Sequence, residues 1–409
     1  MSQKVIKREK ITQCRICKSG NLETIITLGQ MPFTDEFIPG DKKGTEFLGD
    51  IEIAVCKSCG SAQNMNNTDM SEYYFEYTYS VQSSNFAIGF MQTLAKRIKE
   101  TCFNNSLHPK ILEIGSGSGE QLLEFKKLGF EVLGIEPSEK LSQYAESIGV
   151  KTLTDFFDAT TFRNAENGYD KVDAIVTSYT FDHIPQISET LENIYNVLNT
   201  NGILIIEVHD LDKIRDRNEY CLFEHEHYTY LNQATMTQLL NKKQFEVITF
   251  DLLSDQEKRG NSLLVVARKG TGLKMNAANP EEEVLKLTHL RVEIEEAIQR
   301  IDEWLYENRD QKIAAYGAGG RGIMTIAALK RPELIRYIVD KNPKAPDIFA
   351  PKSHLPVHKI DELGKNPVDK ILVFSYGYYD EIVNEISSKY GYKHDQFISI
   401  LTLLRKVND

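Results

Sequence analysis

The period of apolar residues changes three times along the chain. Between Leu22 and Cys56, short apolar runs such as LETIITLG and IEIAVC stand between turn residues and predict strands. A tyrosine-rich stretch, SEYYFEYTYSVQSSNF, follows, and a helical period then begins near Phe86 and runs through GFMQTLAKRIKE. From Pro109 to Lys269 apolar strands alternate with helices: KILEIG, EVLGIEP, DAIVTSY, GILIIEV, then FEVITFD with SLLVVARK. That order predicts a doubly wound parallel sheet whose last pair can be antiparallel. A polar interval, KGTGLKMNAANPEEE, leads into a long amphipathic helix with Val284, Leu287, Leu290, Val292, Ile294, Ile298, Ile301 and Trp304 on one side. A second, smaller α/β unit closes the chain, with strands KIAAYG, IRYIVD and KILVFSYG separated by helices.

At 409 residues the chain is too long for one ordinary core. The expected division is an N-terminal unit at 1–85, a doubly wound unit at 86–270, a linker and docking helix at 271–305, and a smaller Rossmann-like unit at 306–409. No apolar run approaches the roughly 18 residues that cross a bilayer. The start, MSQKVIKREK, has no apolar stretch after its charges, so a cytoplasmic protein is expected, with no membrane partner. A formal net charge of −11 argues against binding nucleic acid, which needs a cationic surface to release phosphate counterions.

Four of the six cysteines form two pairs, Cys14-Arg-Ile-Cys17 and Cys56-Lys-Ser-Cys59-Gly60. Each pair can present two thiolates to one ion, and Gly60 lets the second knuckle turn. The set predicts a tetrahedral zinc with no open position, hence a structural metal in a small zinc-binding N-terminal domain. Cys102 and Cys221 are left as ordinary buried thiols.

KILEIGSGSGEQLLEF is a strand ending in Glu113, then Gly115, Gly117 and Gly119, then a helix. Such glycines let the backbone turn tightly and a ligand approach a helix N-terminus. The acid before the first glycine resembles the E/D-x-G-x-G-x-G pattern of S-adenosylmethionine-dependent methyltransferases. Glu136, closing the next strand, can accept both ribose hydroxyls. Asp155 and Phe156 stand where such enzymes bind and cover adenine.

Past the later strand ends come His183 in FDHIP, Glu207 and His209 in EVHDL, and the cluster FEHEHYTYLNQATM before a helix capped by Asn232. Open α/β sheets bind ligands at this edge, so these groups are expected beside the donor crevice. The order of two zinc knuckles, YTYSVQSS, the glycine turn, FDHIP, HEHYTY and YGAGGRG…YIVDKNP…LPV…DEI resembles the three-domain sugar C-methyltransferases over essentially the whole chain. Those enzymes methylate carbon 3 of nucleoside-diphosphate 4-keto-6-deoxy sugars. The resemblance implies an active-site Y-H-E-H-x-x-Y motif at Glu224, His225, Glu226, His227 and Tyr230, with His227 as general base, Glu226 beside it, and His183 and Tyr79 facing the sugar. Glu224 departs from the family tyrosine.

By the same resemblance, the turn GAGGRG holds the nucleoside diphosphate, dTDP or another, through Gly317, Gly319 and Arg321, with Asp340 ending the next strand and Tyr77 on the substrate side. Arg321 stands where relatives often have lysine, and Ser375-Tyr376-Gly377 where they have Trp-Asn. A monomer or small homo-oligomer is expected. An O- or N-methyltransferase, or a binding protein without turnover, uses the same scaffold. Against the latter stand the donor turn, Glu136, Asp155 and the acid-base cluster together.

Overall fold

The computed structural model describes residues 6–77, 85–164, 170–270, 278–343 and 345–405. The middle unit is the doubly wound sheet the apolar periods predict. Its parallel strands Lys110–Ile114, Glu131–Ile135, Thr152–Leu153, Val172–Ser178 and Leu198–His209 are joined by Ser262–Lys269, which runs antiparallel to them, and by Phe245–Thr249, which pairs antiparallel with Ser262–Lys269. The order reverses at Lys110–Ile114, whose neighbours are Glu131–Ile135 and Val172–Ser178, so the crevice opens past its carboxyl end. Strand Leu198–His209 has every residue from Gly202 to Val208 buried, as expected of a central strand covered on both faces.

The three units are stitched together by exchanged strands. Ile38–Pro39, from the N-terminal unit, pairs with Ile348–Phe349 and becomes the edge of the C-terminal sheet. Thr229–Tyr230, from the middle unit, pairs with Ala62–Asn64 and becomes the edge of the N-terminal sheet. One apolar core follows from this. It gathers Ile26, Ile51 and Ile53 of the N-terminal sheet, Tyr220 and Phe223 of the middle unit, and Ile313 and Ile338 of the C-terminal sheet. Division by sequence order therefore misses two crossings, since edge pairing uses backbone groups that carry no side-chain signature.

The long helix, Pro280–Glu307, threads this core with Leu287, Leu290, Ile294, Ala297, Ile301 and Leu305 buried. Val292 falls out of phase with that stripe and is 39% exposed, correcting its place on the apolar side. Cys221 is buried, whereas Cys102 is only partly so. No helix among the described residues is long and apolar enough to cross a membrane.

Candidate active site

The four cysteines of the two knuckles converge. Cys14 Sγ lies 3.6 Å from Cys59 Sγ and Cys17 Sγ 3.5 Å from Cys56 Sγ, with all four ligand atoms within 4.8 Å of one another. Sulfurs at about 2.3 Å from a tetrahedral zinc stand a little under 4 Å apart, so the set fits the ion. Gly60 turns the second knuckle at φ 76°, and its N–H donates to the Cys56 carbonyl at 2.7 Å. Arg15, inside the first knuckle, donates to the Pro185 carbonyl (3.0 Å) and the Asn64 carbonyl (3.0 Å) and lies over the Tyr228 ring. The zinc unit thus fixes both the FDHIP loop and the HEHYTY loop.

A cleft of about 1780 Å³ runs between the three units. Its first wall is the glycine turn. Gly115, Gly117 and Gly119 all have positive φ, and a Cβ on Gly115 would meet Thr180 Oγ1 at 2.4 Å. Glu136 holds the turn: Oε2 accepts from Gly117 N (2.9 Å) and Oε1 from Ser138 N (2.9 Å). Burial pushes its pKa up. Asp155 and Phe156 line the same wall, with the Phe156 ring against Phe75 and Tyr74 at centroid distances of 5.4 and 6.5 Å. Glu113 is buried with Oε2 lacking a hydrogen-bond partner, and burial raises its pKa well above the usual range. An orphaned carboxylate oxygen and an exposed aromatic rim beside a glycine cradle fit the ammonium and adenine of S-adenosylmethionine.

The second wall carries the histidines. His227 Nδ1 lies 2.8 Å from the Leu222 carbonyl, an oxygen that can only accept. Nδ1 therefore carries the proton and Nε2 the lone pair. His183 crosses it edge-on, ring centroids 4.6 Å apart, and shares a 2.8 Å hydrogen bond between Nδ1 and Tyr74 Oη. His209 Nδ1 donates to Asp182 Oδ2 at 3.2 Å. Burial, then the neighbouring His227, lowers the His183 pKa to about 3, so the ring is neutral at pH 7. Glu224 and Glu226, both more than nine-tenths buried, line the same wall.

Two residues assigned to catalysis by resemblance point elsewhere. His225 is fully buried, bonds the Met31 carbonyl through Nε2 at 2.9 Å, and stands edge-on between Phe33 and Phe47. Tyr230 is buried against Phe223, and its hydroxyl accepts from Glu224 N at 3.3 Å. Neither side chain lines the cleft, which corrects the catalytic place expected for them: each is taken up by aromatic packing and a hydrogen bond to the backbone. Tyr79 lies outside the described residues. The helix cap at Asn232 forms as a capping box with Thr235, the N–H of each bonding the other's side chain at 3.0 Å.

The third wall is the C-terminal turn, where Gly317, Gly319 and Arg321 line the cleft with Tyr77 opposite. Asp340 sits behind it and shapes it, Oδ2 accepting from Ala318 N at 2.8 Å. Sequence reasoning missed Asp182, Tyr74 and Arg259. Arg259 forms a buried ion pair with Glu207 and lies over the Phe90 and Tyr179 rings. Its charge opposite the end of a buried strand acid was the only available signal.

Three family models match in chain order: a "Putative zinc binding domain" over 14–74, a "Methyltransferase domain" over 87–249 and a "C-methyltransferase C-terminal domain" over 278–401. The chain belongs to the three-domain C-methyltransferases. This methyltransferase is 22% identical over 391 residues to the C-methyltransferase NovU of Streptomyces niveus, spanning 91% of this chain and 92% of that one. An uncharacterized methyltransferase of Alkaliphilus oremlandii (strain OhILAs) is 30% identical over 145 residues, 30% of this chain and 62% of its own. The solved plantazolicin methyltransferase BpumL in complex with SAH aligns over 49% of this chain and 94% of that one, at 17% identity and a TM-score of 0.37. The matched domains are those of a methyltransferase with a zinc-binding N-terminal domain, whose four converging cysteines fit a structural zinc.

Proposed function

We propose that this enzyme methylates carbon 3 of a nucleoside-diphosphate 4-keto-6-deoxy sugar, with His227 as the base. The observation that carries the reading is the tautomer of His227, whose Nδ1–H is held by the Leu222 carbonyl so that Nε2 can take a proton. A C–H beside a ketone is acidic enough for an imidazole, provided donors meet the oxygen on which charge develops. The C–H electron pair becomes the new carbon–carbon double bond, and the carbonyl pair moves to oxygen. When bound, S-adenosylmethionine supplies an electrophilic methyl on sulfonium. Glu113, Glu136, Asp155 and Phe156 are assigned to hold it, and His183, Tyr77 and Glu226 to orient the sugar. Arg217, Arg321 and Arg405 line the cleft and give a diphosphate its counter-charge.

Incubation with candidate keto-sugar nucleotides in deuterated water tests this. Wild type is expected to exchange deuterium at carbon 3 without the donor and to yield a product one methyl heavier by mass spectrometry with it. His227→Ala is expected to lower both rates by about 10²–10⁴-fold, within the range of a lost general base, with donor binding unchanged. Methylation without exchange would point to an oxygen or nitrogen acceptor instead.

A further inference from the structure

Glu224 and Glu226 are two buried carboxylates two residues apart that line the same cleft. Glu224 is 8% and Glu226 6% exposed. Glu226 Oε2 is buried with no hydrogen-bond partner. The His227 N–H approaches the Glu224 carbonyl at 3.4 Å, so Glu224, Glu226 and His227 share one turn of chain against one cleft. Two adjacent carboxylates removed from water cannot both ionise. Burial and the neighbouring Glu226 drive Glu224 well above the usual carboxylate range.

The groups facing this pair come from all three units. Asp35 and Tyr73 approach from the N-terminal unit, Tyr73 Oη lying 3.4 Å from Asp35 Oδ2, and the negative charge of Asp35 also favours a proton on Glu224. Tyr74 lies near Glu226, and Tyr230 near both acids. From the C-terminal unit, Arg321 and the start of helix Gly320–Ala328 pull the other way. Arg321, however, is held 3.3 Å from the fully buried Glu219, which takes up part of its charge. A Cβ on Gly320 would stand 3.0 Å from Glu224 Oε1, so the acid's oxygen is seated tightly against the start of that helix.

We propose that Glu224 is kept protonated by Glu226 and donates the hydrogen bond to the substrate's carbonyl oxygen while His227 takes the neighbouring proton. The inference rests on the keto-sugar reading. The carbon–hydrogen bond loses its proton to His227 Nε2, and the carbonyl oxygen takes the negative charge. The Glu224 proton stays on Glu224, bridging to that oxygen as the bond strengthens. Glutamic acid thereby fills, with a pair of carboxyls, the role a phenol would fill alone.

The test has a spectroscopic and a kinetic arm. Infrared difference spectra of ligand-free wild type minus Glu224→Gln, at pH 7 to 8, should show a protonated carboxyl band. With dTDP-4-keto-6-deoxyglucose and a panel of other nucleoside-diphosphate keto sugars, Glu224→Ala should lose about 10²–10³-fold in exchange and methylation, the loss typical of one oxyanion donor. Glu224→Tyr should recover most of it. In Glu226→Gln the alkaline limb of the rate profile should move to lower pH, because removing the adjacent charge eases loss of the Glu224 proton. An absent band, or Glu224→Ala at wild-type rate while wild type exchanges deuterium, overturns the inference and leaves the function standing. A band present in a wild type that exchanges no keto sugar overturns the function, and the donor role with it.

Discussion

At Gly115, Gly117 and Gly119 the backbone takes φ values of 71°, 52° and 85°, whereas in the later turn only Gly317 is left-handed, at 110°. Both turns are fastened alike, by a carboxylate from the next strand: Glu136 on Gly117 N and Asp340 on Ala318 N. Their neighbours differ. The donor turn packs on Thr180 and Ala145 of its own unit, while the later turn meets Glu224 and Glu219 of the middle unit. The same strand-turn-helix device serves once as a self-contained cradle and once as a wall of a shared site. Its role is set by what crosses it.

Zinc removal should separate the two turns most strongly. Cys56→Ser is expected to abolish zinc content by metal analysis and to unfold the N-terminal sheet, since in small metal-held units binding energy is folding energy of about 10 kcal/mol. Hydrogen exchange should speed up in Ile51–Val55 and, through the exchanged edge, in Ile348–Phe349, while Lys110–Ile114 stays protected. Equal loss around both turns would break the comparison.

Single glycines sharpen it next. Gly115→Ala places a Cβ 2.4 Å from Thr180 Oγ1 at a left-handed position and should weaken S-adenosylhomocysteine binding by about 10–100-fold in calorimetry. Gly319→Ala, with φ −80° and nothing within 4 Å of the added atom, should change donor binding less than about twofold.

His225 links the shared wall to pH. Burial lowers its pKa to about 4 from an ordinary value near 6.5, so the unfolded chain binds the extra proton first. Its contribution is complete above pH 6.5 and is lost as pH falls towards 4, about 3 kcal/mol in all at 1.4 per unit. Denaturant titrations should show this acid slope in wild type and a shallower one in His225→Gln. At the phosphate wall, Arg321→Lys should raise KM for the nucleotide sugar by about 3–10-fold with kcat nearly unchanged, since lysine keeps the charge and loses the fork.

The zinc knuckles and the donor turn were legible because their chemistry is local. Two residues between cysteines, or one between glycines, fix the geometry by themselves. The HEHYTY cluster was legible as chemistry but not residue by residue. His225 and His227 differ in role only because one ring meets Met31, Phe33 and Phe47 and the other meets Leu222 and the cleft. Arg259 and Asp182 went unseen, their partners Glu207 and His209 lying far along the chain.

By itself the sequence determined the strand and helix periods, the four-sulfur site, the donor cradle and the acid-base inventory, all set by neighbours within a few residues. Tertiary structure alone decided the two exchanged strands, the proton on His227 Nδ1 and the meeting of Glu224 with Gly320. The strand exchange and the Glu224–Gly320 contact depend on groups brought together from distant parts of the chain, and the His227 proton on how the short buried loop from Leu222 closes on the ring.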